Sequence, residues 1–212
     1  MKLKWFGHSC FLLTAESGTK VMMDPCGAKA GYAIEKQQAD AVSASHGHWD
    51  HNEFSLAGDD AVRVTETGET KVKDVRFFGI HTYHDPEQGA LRGENIMFIV
   101  EMDGLRTLHC GDLGHMIDDE TAAACGRVDI LLAPVGGTYT IDADGAHALM
   151  EKLDPTVFIP VHYKLPQGMV NVATVDGFLS LVKDRPIAYA KADTAAFSAD
   201  DLGEKRVLVM EV

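Results

Sequence analysis

A chain of 212 residues, 46% of them hydrophobic and 24% charged, is long enough to bury one sizeable core and has the charge content of an ordinary globular protein. Its formal net charge of −13 argues against a general binder of nucleic acid or of an anionic membrane, which would carry a basic patch. A small anionic substrate stays compatible with that charge, because metal ions invert the local field.

Lys2–Trp5, Cys10–Thr14 and Lys20–Asp24 read as short strands, with Ser17-Gly18 turning between the last two. No secretory leader is visible at the start. No apolar run approaches the roughly 20 residues of a membrane span, so a soluble, cytoplasmic protein is expected. Asp40–Ser45 is a short apolar run that reads as an interior strand leading directly into His46. Val62–Thr65, Lys71–Lys73 and Val75–Tyr83 follow as further strands. Asn95–Met102 and Leu105–Cys110 flank Asp103-Gly104, a pair suited to a type I′ turn, and form the clearest hairpin. Asp118 caps a predicted helix through Ala124 that Gly126 stops. Asp129–Pro134 is an apolar strand. Asp142 caps a second helix through Leu153, ended by Asp154-Pro155. Thr156–Pro160 reads as a buried strand, Val175–Lys183 as a helix and Lys205–Val212 as a closing strand.

A faint internal echo runs through the chain. Phe11–Asp24 and Met97–Asp112 are each strand, glycine turn, strand and Asp, followed by an Asp-led apolar strand at Asp40 and at Asp129. This suggests two similar β-rich halves. No linker or charge block separates them, so one domain over residues 1–212 is expected. Cys10, Cys26, Cys110 and Cys125 are scattered with no C-x-x-C pair and read as reduced, buried thiols.

The strongest signal is Ser45-His46-Gly47-His48-Trp49-Asp50-His51, with four potential ligands in six residues after an apolar strand. His46 and His48 lie two apart, so in extended chain their side chains point the same way and can grip one metal. A turn at Trp49 lets Asp50 and His51 face a neighbouring position. Neutral imidazoles and a carboxylate suit zinc first, with manganese, iron or nickel as alternatives. His84, Asp112 and His162 each follow an apolar strand, where a site can be assembled on a rigid scaffold. Weaker candidates are His8 and His115 in turn-like contexts, Lys164 as a partner for a substrate anion, and the Gly136–Tyr139 turn, whose amides could receive an oxyanion.

The pattern H-x-H-x-D-H, a His after a strand, Gly-Asp and a late His resembles the metallo-β-lactamase superfamily. More narrowly, the chain is similar to the small prokaryotic metal-dependent hydrolases related to ascorbate-phosphate lactonase. The matching segments include Trp5-Phe6-Gly7-His8-Ser9, Asp24-Pro25, Arg92-Gly93-Glu94-Asn95, Gly111-Asp112-Leu113-Gly114-His115 and Pro160-Val161-His162-Tyr163. The resemblance implies an α+β, four-layer αββα sandwich with metals at one edge. It implies that His46, His48 and His84 hold one ion, that Asp50, His51 and His162 hold a second, and that Asp112 bridges them. His81 is the alternative to His84. Catalytic roles fall to Asp50 as a proton relay, with His8 and His115 around the site.

Two divalent ions roughly 3.5–4 Å apart sharing a water would lower its pKa towards ~7 and supply hydroxide at neutral pH. The expected activity is hydrolysis of a small, anionic ester, lactone or phosphate-bearing metabolite. The alternatives are a metal-dependent nuclease or phosphodiesterase, or a non-catalytic metal- or metabolite-binding protein. The expected partner is a small-molecule substrate, with no nucleic acid and no membrane. Homo-oligomerisation stays open.

Overall fold

The computed structural model describes residues 1–212. Two sheets face each other. The first contains β1 (Lys2–Gly7), β2 (Cys10–Thr14), β3 (Lys20–Met23), β4 (Ala41–Ser43) and β5 (Val62–Val64). The second contains β6 (Gly68–Val72), β7 (Val75–Tyr83), β8 (Glu94–Met102), β9 (Leu105–His109), β10 (Ile130–Pro134) and β11 (Val157–Val161). Two short edge strands, β12 (Ile187–Tyr189) and β13 (Thr194–Ala196), and the closing strand β14 (Arg206–Val209) complete them. The spatial orders are β13-β1-β2-β3-β4-β5 and β12-β14-β11-β10-β9-β8-β7-β6.

Period-two alternation explains why the first sheet is covered on both sides. Leu3, Trp5, Phe11, Leu13, Val21, Met23 and Ala41 enter the main core between the sheets. The intervening Cys10, Leu12, Met22 and Val42 point away, into a smaller core roofed by Cys26, Ala30, Tyr32 and Ala57. β10 and β11 are buried along their whole length, as apolar parallel strands covered on both faces must be.

Helices α1 (Asp119–Cys125), α2 (Ala143–Leu153) and α3 (Asp176–Leu181) lie with the second sheet. Asp118 and Asp142 cap the first two by accepting from Thr121 N and Gly145 N. Phe178 of α3 stacks on Phe158 of β11, ring centroids 4.7 Å apart. The outer layer of the first sheet is thinner than the αββα pattern implies. It consists of 3-10 turns at Ala28–Ala30 and Phe54–Ala57 with irregular chain around them, because Pro25, Gly27, Gly31 and Gly58 interrupt segments already too short for a long helix.

Other differences from the sequence reading have local causes. β6 begins at Gly68 rather than Lys71, as an exposed edge strand of polar residues that shows no alternation. β12 and β13 are three-residue edge strands, too short to carry a periodic signal. The Asp103-Gly104 hairpin has φ of 52° and 76° at its two central residues, the left-handed pair that a type I′ turn requires. No helix is long and apolar enough to cross a membrane.

In each sheet an antiparallel part is followed by a parallel one: β1-β2-β3 then β3-β4-β5, and β6 to β9 then β9-β10-β11. β3 and β4 therefore run the same way, as do β7, β9, β10 and β11. Their carboxyl ends bring Asp24, the His46–His51 loop, His84, Asp112 and His162 to one rim.

All four cysteines are free and buried. Burial pushes the Cys10 and Cys110 thiols well up and that of Cys125 to about 11, so little thiolate forms. The folded protein is expected to resist a disulfide-exchange reagent at pH 8, and all four thiols to titrate in guanidinium. A thiol that reacts in the folded protein at the rate of free cysteine contradicts this packing.

Candidate metal centre

Asp112, 3% exposed, lies at the middle of the rim. Its Oδ1 is 3.2 Å from His51 Nε2. Its Oδ2 is 3.3 Å from both His84 Nε2 and His162 Nε2, and 3.9 Å from His46 Nε2. Three groups have ligand atoms within 4.8 Å of one another: His46 with His48 and His84, His8 with His51 and His162, and His46 with His51 and Asp112. The carboxylate thus adjoins both histidine triads. Asp50 Oδ2 stands 3.3 Å from His8 Nε2 at the edge of the second triad.

The hydrogen bonds settle which ring nitrogens remain available. The single Ser45 hydroxyl proton goes to Asp24 Oδ2 at 2.7 Å, so at 2.9 Å the same oxygen accepts from His46 Nδ1–H. His46 Nε2 is then left with its lone pair. His51 Nδ1–H donates to Asp24 at 2.8 Å and turns Nε2 towards Asp112. A carboxylate behind an imidazole is the usual way of orienting a histidine for a cation.

The Nε2 atoms of His8, His46 and His51 and Oδ1 of Asp112 are buried without a hydrogen-bond partner. Each such group costs roughly 1–3 kcal/mol if nothing satisfies it. Three of them, on His46, His51 and Asp112, gather as one group and, two nitrogens with one carboxylate, fit a borderline cation such as zinc. Burial pushes the His46 pKa down to about 3 and that of His8, with His162 beside it, to about 4. Both rings therefore stay neutral. Burial also opposes charge on His51, but Asp112 and Asp24 outweigh it and hold its pKa well above the ordinary value. Burial would raise Asp112 and Asp24, yet the surrounding imidazoles keep Asp112 well below the usual range and bring Asp24 to about 2.

Three supporting residues lie outside the candidates picked from sequence. Asp24 also accepts from Ser45 N at 2.7 Å. The internal echo was the signal for it, since Asp24 follows β3 as Asp112 follows β9. Asn95 accepts from Asp112 N at 3.0 Å and donates to Thr82 Oγ1 and Cys110 O, fixing the backbone that carries Asp112. Asp85 accepts from the amides of Glu87, Gly89, Leu91 and Arg92 at 2.7–3.0 Å and shapes the loop after His84. Two glycines permit close packing. A Cβ on Gly111 would lie 2.3 Å from Ser45 Cβ, and one on Gly114 would lie 2.2 Å from the His84 carbonyl carbon. His8, Asp24 and His162 hold their side chains at φ of 53°, 43° and 50°.

Not every sequence candidate reaches the cluster. His81 lies on β7 with a 44% exposed side chain, facing Glu94. His115 accepts from Tyr83 N at 3.1 Å and donates from Nδ1 to Met116 O at 3.0 Å, so both ring nitrogens hold backbone. Lys164 turns its ammonium onto Gly168 O and Val170 O, within its own loop. The Gly136–Tyr139 turn uses its Tyr139 amide on Gly137 O at 2.7 Å. Above the cluster opens a cavity of about 530 Å³, reached by Asp50, Asp112, His84 and His162 and flanked by Trp49 and Arg92.

Residues 2–162 match the model of the β-lactamase superfamily domain. The chain belongs to the metallo-β-lactamase superfamily. Among its relatives, the UPF0173 metal-dependent hydrolase of Thermoplasma acidophilum is 30% identical over 189 residues, covering 77% of this chain and 83% of that one. A protein of the same description from Archaeoglobus fulgidus is 30% identical over 200 residues, with the same coverage. A Thermotoga maritima crystal structure, named as a Zn-dependent hydrolase of the superfamily, superposes with a TM-score of 0.78 at 32% identity, over 99% of this chain and 97% of that one.

Asp24→Asn replaces a carboxylate that accepts from three donors by an amide with one acceptor oxygen. A roughly 10–100-fold loss of metal affinity is expected in competition with a chelator, with a loss of about 1–3 kcal/mol in chemical denaturation. Unchanged metal affinity would remove Asp24 from the support of this site.

Proposed function

We propose that this metal-dependent hydrolase of the metallo-β-lactamase superfamily cleaves a small, anionic ester, lactone or phosphate-bearing metabolite at the Asp112 cluster. The observation that carries the reading is one buried carboxylate facing four imidazoles beneath a cavity of about 530 Å³, a volume suited to a small molecule.

His46, His48 and His84 would hold one divalent ion, Asp50, His51 and His162 a second, and Asp112 both; the nitrogen-rich donor set favours zinc. Such ions, when bound, supply Lewis acidity and bring the pKa of a coordinated water towards ~7. The chain's own residues do the rest. Asp50 is half-buried and faces the cavity. Burial opposes its charge, but the adjacent His8, 3.3 Å away, and the nearby His51 keep it ionised. Its place at the cavity lets it relay a proton from an attacking water to the leaving group. His8, neutral and fixed behind Asp50, orients that carboxylate. His115 keeps the end of β7 in place and has no free nitrogen for proton transfer.

Elemental analysis of protein never exposed to chelator is expected to give about two ions per chain. Asp112→Ala is expected to lose metal and activity together. His115→Ala is expected to keep the metal, and His8→Ala to keep it while slowing turnover roughly 10–100-fold. The activity test is a panel of anionic lactones, carboxylate-bearing esters and phosphate esters beside RNA and single-stranded DNA. Turnover confined to nucleic acid would replace this reading by a nuclease, and metal without any turnover by a binding protein.

A further inference from the structure

The cavity contains one cation with no anion of its own. Arg76, Arg106, Arg127 and Arg185 are each paired with a carboxylate. Arg92, like Arg63 over the Phe54 ring and Arg206 on backbone carbonyls, is not, although the chain has 32 acidic residues against 19 basic ones, and of these three only Arg92 lines the cavity. Its guanidinium touches only Thr138 O at 3.4 Å and stands 5.8 Å from the Tyr139 ring centroid. Its backbone is firmly placed, because Asp85 accepts the Arg92 amide at 2.7 Å along with three other amides of the loop. Arg92 and His48 also border a second cleft of about 650 Å³. Arg92 therefore lines both openings, as His48 of the histidine cluster does. The other candidate cation, Lys164, is spent on its own loop. Two large apolar side chains, Trp49 at 52% and Met169 at 71% exposed, flank the same cavity.

We propose that Arg92 is the specificity-determining residue of this site. It seats a carboxylate or phosphate group of the substrate away from the bond that is cleaved, while Trp49 and Met169 take an apolar portion. A planar guanidinium on a fixed backbone suits bidentate capture of either anion. Asp85 acts through Arg92 as a positioning residue. The location of the cleaved bond rests on the hydrolase reading, whereas the anion seat is open to a binding test that needs no turnover.

The experiment titrates the metal-loaded protein, followed by tryptophan fluorescence, with phenylacetate and with phenylsuccinate, 2-phenylglutarate and 2-phenyladipate. One carboxylate is common to all, and the second, at graded distance, reports on Arg92. The best dicarboxylate is expected to bind about 10–100-fold tighter than phenylacetate, the range for a charged hydrogen bond. Arg92→Gln is expected to shrink that gap to about twofold or less, with phenylacetate affinity and metal content unchanged, and Arg92→Lys to keep part of it. A gap that survives Arg92→Gln, or no preference for a second carboxylate across the series in the native protein, overturns the proposal. An Arg92-dependent gap in a protein that hydrolyses nothing would sustain the anion seat and sink the hydrolase reading.

Discussion

The rim of this molecule depends on burying two carboxylates against opposite sides of one imidazole. Asp24 and Asp112 are 1% and 3% exposed, and they approach His51 Nδ1 and Nε2 at 2.8 and 3.2 Å. A lone carboxylate in such a place costs several kcal/mol. Each must therefore be met by donors, and the donors come from distant parts of the chain. Asp24 extends from the first sheet and Asp112 from the second, while His51 comes from the loop after β4. Satisfying both acids fixes how the two sheets meet at this end. Backbone bonds reinforce the joint, with Ile96 N donating to Ser45 O at 2.8 Å and His109 Nε2 lying 2.8 Å from Ser9 O. The apolar core supplies cohesion along the rest of the interface without directional demands.

The same arrangement makes the chain's acidity compatible with an anionic ligand. The negative charge is spread over solvated faces, a minority of it paired with lysine and arginine. At the rim the carboxylates are enclosed by imidazoles, and Arg92 stands unpaired above them. A small anion entering there meets local fields set by those groups, because exposed charges beyond about 8 Å are largely screened at physiological salt.

Local chemistry was legible in the sequence. Asp103-Gly104 specified its hairpin, Asp118 and Asp142 their helices, and the histidine spacing after Asp40–Ser45 pointed to the rim. Relations across the fold were not legible. Nothing near Asp24 says that it stands behind both Ser45 and His51; its match with Asp112 in the internal echo and the Asp24-Pro25 segment of the resemblance hint at a role without saying which. Sequence alone also could not rank the cations: Lys164 adjoins Tyr163 and His162 in the chain but bends back onto its own loop, whereas Arg92 reaches the cavity from a loop folded around Asp85. The thin layer over the first sheet followed from interrupted segments whose consequence appears only when the sheet needs a roof.

The left-handed backbone at His8, Asp24 and His162 bears on how this protein can change over time. A non-glycine residue held there costs roughly 1–3 kcal/mol. Glycine would relieve the backbone at all three positions, but it would delete the side chain for which the distortion exists. Selection for robustness and selection for the rim's chemistry therefore pull these three codons in opposite directions. A lineage that gave up the chemistry would be free to drift to glycine, asparagine or a rebuilt turn at these positions. Retention of all three residues in a descendant would then mark a rim still in use.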